Sequence, residues 1–457
     1  MGSLFGRGIT AVASQVRRRP GWSLALAGAL LCGALLRLAW VRDMEYKGDE
    51  IWTFERTQQV EHGGPFPWFG MPNSVQVPHP GMSIWVYLAL GKLWGVTEPP
   101  QLARASQVVD IAAIVLVVIF ALACVPAAER EPWLWAAALV SVNPLAVLFH
   151  RKIWPPSILP IFSLGMLFGW WYRDRRWGAF LWGLLGAVLA QVHPSGLFFV
   201  AGFAAWAFCF DRKRVAWLPW FAGSCLGGIT LIPWLWYVLG VMKTGGVSAR
   251  HWVHIVEMKF WARWVLEPFG ISLSYSLGND FGDFLRYPLV NGWPTYLVGV
   301  LHGVVLAAAV ILLGRWAYQL WQDRRRWPEL WVGRQSPTAF TQNACLWGFG
   351  LVFTASLLPM HRPYMIITFP LMFLWLARLA LASSGALGRP LLTTLCVAHL
   401  LISASFLGYI HVNQRAIDGD YGLPYGAQTR SQKSEVRGQK SAPLVPSLPD
   451  WSLTSDF

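Results

Sequence analysis

Leu102–Cys124 reads LARASQVVDIAAIVLVVIFALAC, and this stretch decides the fold class. From Ile111 to Cys124 no polar residue interrupts it beyond the weakly polar cysteine at its end. A helix rises 1.5 Å per residue, so about 20 apolar residues cross the roughly 30 Å hydrocarbon core of a bilayer. The whole chain has the same character. Of its 457 residues 55% are hydrophobic and only 13% charged, with mean hydropathy +0.42. A soluble domain carries about 25% charged residues. So few charges cannot cover a water-facing surface. The composition excludes a soluble enzyme, a disordered chain and a small disulfide scaffold. It implies an all-α polytopic membrane protein.

Outward from this run, apolar segments recur at Trp22–Val41, Trp133–Phe149, Ser157–Tyr172, Gly178–Phe210, Trp217–Gly240, Thr295–Gly314, Ala344–Leu358, Tyr364–Ser383 and Leu391–Ile410. Gly178–Phe210 is too long for one span and is interrupted by His193-Pro194-Ser195-Gly196, so it reads as a hairpin of two helices. The expectation is eleven spans. The first follows Arg17-Arg18-Arg19, but it exceeds a usual signal-peptide core and lacks a small-residue cleavage site, so it reads as retained. The six cysteines, Cys32, Cys124, Cys209, Cys225, Cys345 and Cys396, lie in or at the ends of apolar runs. With no CxxC among them they read as small buried hydrophobes, not as disulfides or metal ligands.

The net charge of +14 has to be mapped onto the two sides of a membrane. With a cytoplasmic N-terminus, the short inner loops hold Arg173, Arg175 and Arg176, then Arg212, Lys213 and Arg214, then Arg315, Arg324–Arg326 and Arg334, then Arg389. Outer segments balance their bases with acids. This is the positive-inside pattern, and the basic face meets anionic headgroups, not nucleic acid. An odd span count puts the C-terminus outside. The expected organisation is a membrane unit over 1–410, with outer loops 42–101 and 241–293, and an outer tail 411–457 that is partly disordered. The absence of an N-x-[ST] sequon favours a bacterial inner membrane.

The first outer loop carries Asp43, Glu45, Asp49, Glu50, Glu55, Glu61 and Glu98 against Arg42, Lys47, Arg56 and Lys92. Its segment Met82–Trp94, MSIWVYLALGKLW, is too short to span and reads as an interfacial or re-entrant helix. Asp49–Glu61, DEIWTFERTQQVE, fits a short amphipathic helix with Ile51, Trp52, Phe54 and Val60 on its apolar side. Asp49-Glu50 then sits at a helix N-terminus, where carboxylates suit the helix dipole. The pair has two readings: a solvated cap, or a carboxylate at the mouth of a membrane cavity acting as general base or ion ligand.

Tyr46-Lys47-Gly48-Asp49-Glu50-Ile51-Trp52 resembles the Asp-Glu motif of the GT-C glycosyltransferases. The match is to the family-39 type, which includes protein O-mannosyltransferases and bacterial lipid A aminoarabinose transferases. Gly70–Val75 followed by Pro78-His79-Pro80-Gly81-Met82 is similar to that family's proline motif. Leu102-Ala103-Arg104, Arg151-Lys152-Ile153-Trp154-Pro155-Pro156, His193-Pro194-Ser195, His361-Arg362-Pro363-Tyr364 and the tail Gly419-Asp420-Tyr421-Gly422 with Pro424-Tyr425 and Gln428 also resemble it, in order, over about residues 20–430. Two departures stand out. His79-Pro80-Gly81 replaces a common Lys-Pro-Pro, and no acid follows Arg151-Lys152, which puts a second catalytic acid and a carboxylate metal site in doubt.

The resemblance implies a GT-C fold and an inverting transfer of sugar from a polyprenyl-phosphate donor to a lipid, glycan or protein acceptor on the outer face. It implies Asp49 as general base and Glu50 as the residue that orients it or the acceptor. Arg151, Lys152, His361 and Arg362 would clamp the departing phosphate, with His79 in place of the family lysine. No cofactor is certain, and a divalent cation stays open. Beyond the resemblance, His193 reads as a helix-break residue, and His251-Trp252-Val253-His254 as a spacing without an acid partner. Asp110 implies a buried partner, Arg104 or another cation. The tryptophans near span ends suit aromatic belts, while Trp252, Trp261 and Trp264 are candidates for a sugar-stacking surface. Competing readings are a transporter or flippase of lipid-linked sugars, which calls for paired broken helices in two repeats, an O-antigen ligase or polymerase with its functional loop late in the chain, and a non-catalytic scaffold.

Overall fold

The structure is a computed structural model that describes residues 20–72, 77–243, 258–322, 327–356, 358, 360–383 and 385–430. The chain is almost entirely helical, with two small two-stranded pairings, Phe69–Pro72 with Pro78–Pro80 and Leu289–Val290 with Trp293–Pro294. Five helices are long and apolar enough to cross a bilayer: Pro99–Ala123, Pro194–Asp211, Trp217–Gly240, Leu297–Gln322 and Gly388–Asn413. A sixth candidate is the pair Arg362–Thr368 and Leu371–Ala382, bent by 70° at Phe369-Pro370. The chain is a multi-pass membrane protein. The remaining expected spans also contain helix, but shorter or broken, so length and apolarity certify five or six of the eleven.

Proline causes the breaks, because it lacks an amide donor and its ring crowds the carbonyl four residues back. Helix α1 is Pro20–Leu38. The expected span Trp133–Phe149 divides into Arg130–Val142 and Pro144–Phe149, with Asn143 extended between them. Arg176–Val192 and Pro194–Asp211 flank His193, as the sequence predicts. Pro194–Asp211 packs closely on the π-helical segment Ala344–Phe349. There a Cβ on Gly348 would come within 2.5 Å of the Gly202 carbonyl oxygen. Small residues allow this backbone approach, a frequent device between helices in membranes.

Two elements of loop 42–101 form as expected. Helix α2 is Gly48–Glu61 and helix α3 is Met82–Trp94. The buried side of α2 differs, however: Glu50, Thr53 and Thr57 are buried, while Ile51, Trp52, Phe54 and Val60 are only half-buried. The reason lies in α3. A Cβ at Gly91 would meet Thr57 Cγ2 at 2.5 Å, so the two helices are too close for a larger side chain on that face.

Helix Pro99–Ala123, about 37 Å long at 1.5 Å per residue, separates two ends that are each tied by ionic contacts. At one end Arg389 pairs with Glu131 at 2.6 Å, Arg173 with Asp211 at 2.6 Å, and the Thr338 amide donates to Glu129 at 3.1 Å. At the other, Arg42 pairs with Glu98 at 3.1 Å, Arg415 with Asp280 at 2.6 Å, and His411 meets Asp43 at 2.6 Å. The tail, expected to be partly disordered, is packed here through residue 430; residues 431–457 lie outside the described set.

Candidate functional site

Helix α2 begins directly beyond the first span, and its first turn carries Asp49 and Glu50. The Glu50 carboxylate turns back to accept from the Lys47 amide at 3.3 Å, the returning half of a capping box. Its other oxygen lies 3.6 Å from Lys152 Nζ. Lys152 arrives from the loop after Pro144–Phe149, with its ammonium 2.7 Å from Glu45 and 4.0 Å from the centroid of the Trp154 ring. Lys47 in turn holds Glu45 at 2.9 Å and Asp420 at 3.1 Å. The result is a chain of alternating charges, Asp420, Lys47, Glu45, Lys152 and Glu50, whose last three members are buried.

The electrostatics follow from this burial. Glu50 is pushed up to about 8, first by burial and then by Glu45 and Asp49, with Lys152 opposing. Burial also raises Glu45 against the pull of Lys152 and Lys47. For Lys152 burial alone would lower the value, but Glu45 and Glu50 outweigh it and hold the ammonium charged. Asp49 is only half-buried. Burial lifts it above the ordinary carboxylate range, Lys152 and Lys47 pull it back, and Asp420 adds to the rise. One carboxylate is therefore open to the surface, with a basicity higher than usual, beside a buried carboxyl that is largely protonated at neutral pH.

The tail belts this cluster. Pro424 bridges to Glu45, and the Tyr421 hydroxyl donates to the Asp43 carbonyl. The Tyr425 amide donates to the Met44 carbonyl at 3.0 Å and Gln428 Nε2 to the Tyr46 carbonyl at 2.6 Å.

The other predicted residues divide. Arg151 is committed to backbone: it donates to the carbonyls of Leu36, Arg37 and Ala39 at 3.0, 2.9 and 2.6 Å and of Trp40 at 2.9 Å. Those of Leu36 and Arg37 are end-of-helix carbonyls that lack intrahelical donors, and those of Ala39 and Trp40 follow directly, so Arg151 anchors the end of α1. Arg362 donates from Nε to Glu267 at 3.0 Å and from Nη2 to the Ser272 carbonyl, and lies over the Tyr275 ring. Its buried Nη1 has no hydrogen-bond partner among the described residues. His79 and His193 stack with centroids 6.1 Å apart, and Tyr364 contacts both His193, at 4.8 Å, and His361, at 5.5 Å. Burial lowers His79 to about 4, so at neutral pH it offers a neutral N–H and no positive charge. The turn Arg362–Thr368, which carries Tyr364 beside these histidines, packs on Pro155–Ile158, just beyond Lys152.

Sequence reasoning missed Glu45, Glu267 and the tail's role. Nothing in the local spacing of Glu45 pairs it with Lys152, more than 100 positions away. No group of three His, Cys, Asp or Glu able to hold a metal occurs among the described residues. In the cluster itself the Lys152 ammonium occupies the place between Glu45 and Glu50 that a cation would need. The His251 and His254 pair and Trp252 lie outside the described residues. Trp264 is buried and Trp261 donates to Thr354 at 3.2 Å. Asp110 is fully buried within its span, and the charge acting on it is that of Arg37, not Arg104.

No family model matches the sequence, and no curated protein matches it. Among solved structures, the chain is similar to the crystal structure of ArnT from Cupriavidus metallidurans bound to undecaprenyl phosphate. Identity is 12%, with 89% of this chain and 85% of that chain covered and a TM-score of 0.41. A likeness this slight carries no functional argument.

Proposed function

We propose that the chain is a GT-C glycosyltransferase of the bacterial inner membrane, with its N-terminus cytoplasmic and its C-terminus outside, and that it moves a sugar from a polyprenyl-phosphate donor to a lipid, glycan or protein acceptor on the outer face. The observation that supports it most is the half-exposed Asp49, raised in basicity, at a helix N-terminus beside the buried Glu45–Lys152–Glu50 cluster. The motif order across residues 20–430 supports the same reading.

Asp49 takes the proton from the acceptor hydroxyl as its oxygen forms a bond to the anomeric carbon. The bond from that carbon to the phosphate oxygen breaks on the opposite face, inverting the configuration. The lipid phosphate leaves as an anion, so no general acid is needed. Arg362, held by Glu267 and with one N–H unspent, suits that anion. His361 and a neutral His79 add hydrogen-bond donors, while Lys152 supplies positive potential from within the cluster. Arg151 contributes only by anchoring α1.

The test is transfer from a synthetic polyprenyl-phosphate sugar by purified protein in nanodiscs. Asp49→Asn is expected to lower kcat by about 10²–10⁴-fold, the usual contribution of a general base, with KM for donor little changed. Undiminished transfer by a folded Asp49→Asn protein would overturn the assignment. Movement of donor across the bilayer without any glycosidic product would instead support the flippase.

A further inference from the structure

A large cavity lies at the basic end of the molecule, away from Asp49. Its volume is about 1150 Å³, and it opens between the ends of Leu159–Trp171, Pro194–Asp211 and the helix Pro337–Asn343. Arg173, Arg212, Lys213, Arg214 and Arg334 line it, against Asp174 and Asp211. Two of these charges are already matched. Arg173 donates to Asp211 at 2.8 and 2.6 Å and is clamped over the rings of Trp170 and Phe340 at 4.5 and 4.8 Å. Arg212, Lys213 and Arg334 are exposed and have no ion-pair partner among the described residues. Arg334 extends over Phe210, 5.9 Å from its centroid. The cavity therefore carries an unmatched positive potential on a fixed aromatic frame.

We propose that this cavity binds the phosphate headgroup of an anionic phospholipid. A lipid fits better than a free phosphate ester for two reasons. The cavity is far larger than a phosphate group needs. Its wall also leads to apolar surface at the ends of spanning segments: Trp171, Phe210 and Phe340 line it, and Phe208 beside Cys209 is 61% exposed. A headgroup among Arg212, Lys213 and Arg334 would leave its acyl chains against that surface, as basic pockets between membrane helices hold acidic lipids. The site is independent of the transfer reaction and at the opposite end from it.

The test uses the full chain in detergent, with lipid retention read by native mass spectrometry and binding by titration with phosphatidylglycerol or phosphatidylcholine. Phosphatidylglycerol is expected to be retained in preference. The variant Arg212→Gln/Lys213→Gln/Arg334→Gln should lose roughly 100-fold in affinity, about fivefold for each basic residue near the surface. Arg389→Gln, at the same end but paired with Glu131 outside the cavity, should leave it unchanged. If the triple variant fails to assemble, the exposed single change Lys213→Gln reads the same loss at about fivefold. Unchanged retention in these variants overturns the proposal. So does equal affinity for soluble glycerol 3-phosphate, which would make the ligand a free phosphate ester.

Discussion

Lys152 lies between the buried Glu45 and Glu50, while Lys47 is shared between Glu45 and Asp420, so three carboxylates face two ammoniums and one negative charge is left over at a largely buried site. The excess is relieved by a proton. Glu45 has the shorter contact, 2.7 Å against 3.6 Å, so the proton belongs on Glu50, which burial lifts to about 8. Its folded value lies above the unfolded 4.5, so between those values the folded state binds more protons and stability falls as pH rises. Glu50→Gln copies the protonated form. It should keep transfer within about threefold at pH 7, far less than the loss expected of a general base, and thermal unfolding followed from pH 5 to about 8 should lose part of its downward slope. A large loss in Glu50→Gln would mean that the ionised form is needed. Lys152→Met, by contrast, leaves Glu50 without its cation and Glu45 with Lys47 alone, and should cost about 3–5 kcal/mol, the typical price of breaking a buried pair. Adding Glu45→Gln should recover much of it, read as Tm in detergent. At this scale Asp49-Glu50 and Lys152 were legible because each lies in a short motif at a span end. Glu45 was not, because its meaning depends on a lysine from another loop.

Among the elements, the helix breaks were legible only where length forced them. Gly178–Phe210 could not be one span, so His193-Pro194 read as a turn. Asn143-Pro144 and Phe369-Pro370 carry the same proline signal, yet their runs are of normal span length and nothing required a division. The break at Asn143 positions the site. Its side-chain oxygen accepts from the Leu145 and Ala146 amides at 3.0 and 3.1 Å, capping Pro144–Phe149, which leads to Arg151 and Lys152. Its amide nitrogen donates to the Glu267 and Pro268 carbonyls at 3.3 Å each. Glu267 in turn holds Arg362. Asn143→Ala should therefore destabilise by about 0.5–2 kcal/mol from the cap alone. It should also loosen the support of Arg362, raising KM for the donor more than it lowers kcat. Steady-state kinetics with varied donor concentration checks this, and a pure kcat effect would separate the break from donor binding.

For the whole molecule, scarcity of charge made the short basic loops readable: with so few ionic residues, each stands out between apolar runs. The contact between residues 43–46 and 421–428 was not readable, since no local pattern links segments some 375 positions apart. The structure brings them together on the end that also holds Lys152, Glu267 and Arg362, while Arg173, Lys213, Arg334 and Arg389 gather at the other. This division makes a prediction independent of any enzymatic activity. In a cysteine-free background, single cysteines at Lys213 and Arg389 should react with a membrane-impermeant maleimide only from the cytoplasmic side. Cysteines at Arg42 and Asp418 should react only from the opposite side. All four positions are in loops or at helix ends, and none belongs to the buried carboxylate cluster, so folding should tolerate the changes. The result also tests the span count. Residue 42 follows α1 and residue 418 follows Gly388–Asn413, so the crossings between them are those of the series after α1. They share a side only if an even number of crossings separates them, as eleven spans in total require. Labelling of Arg42 and Asp418 cysteines from opposite sides would remove one crossing from that series and detach the tail from the cluster it belts here.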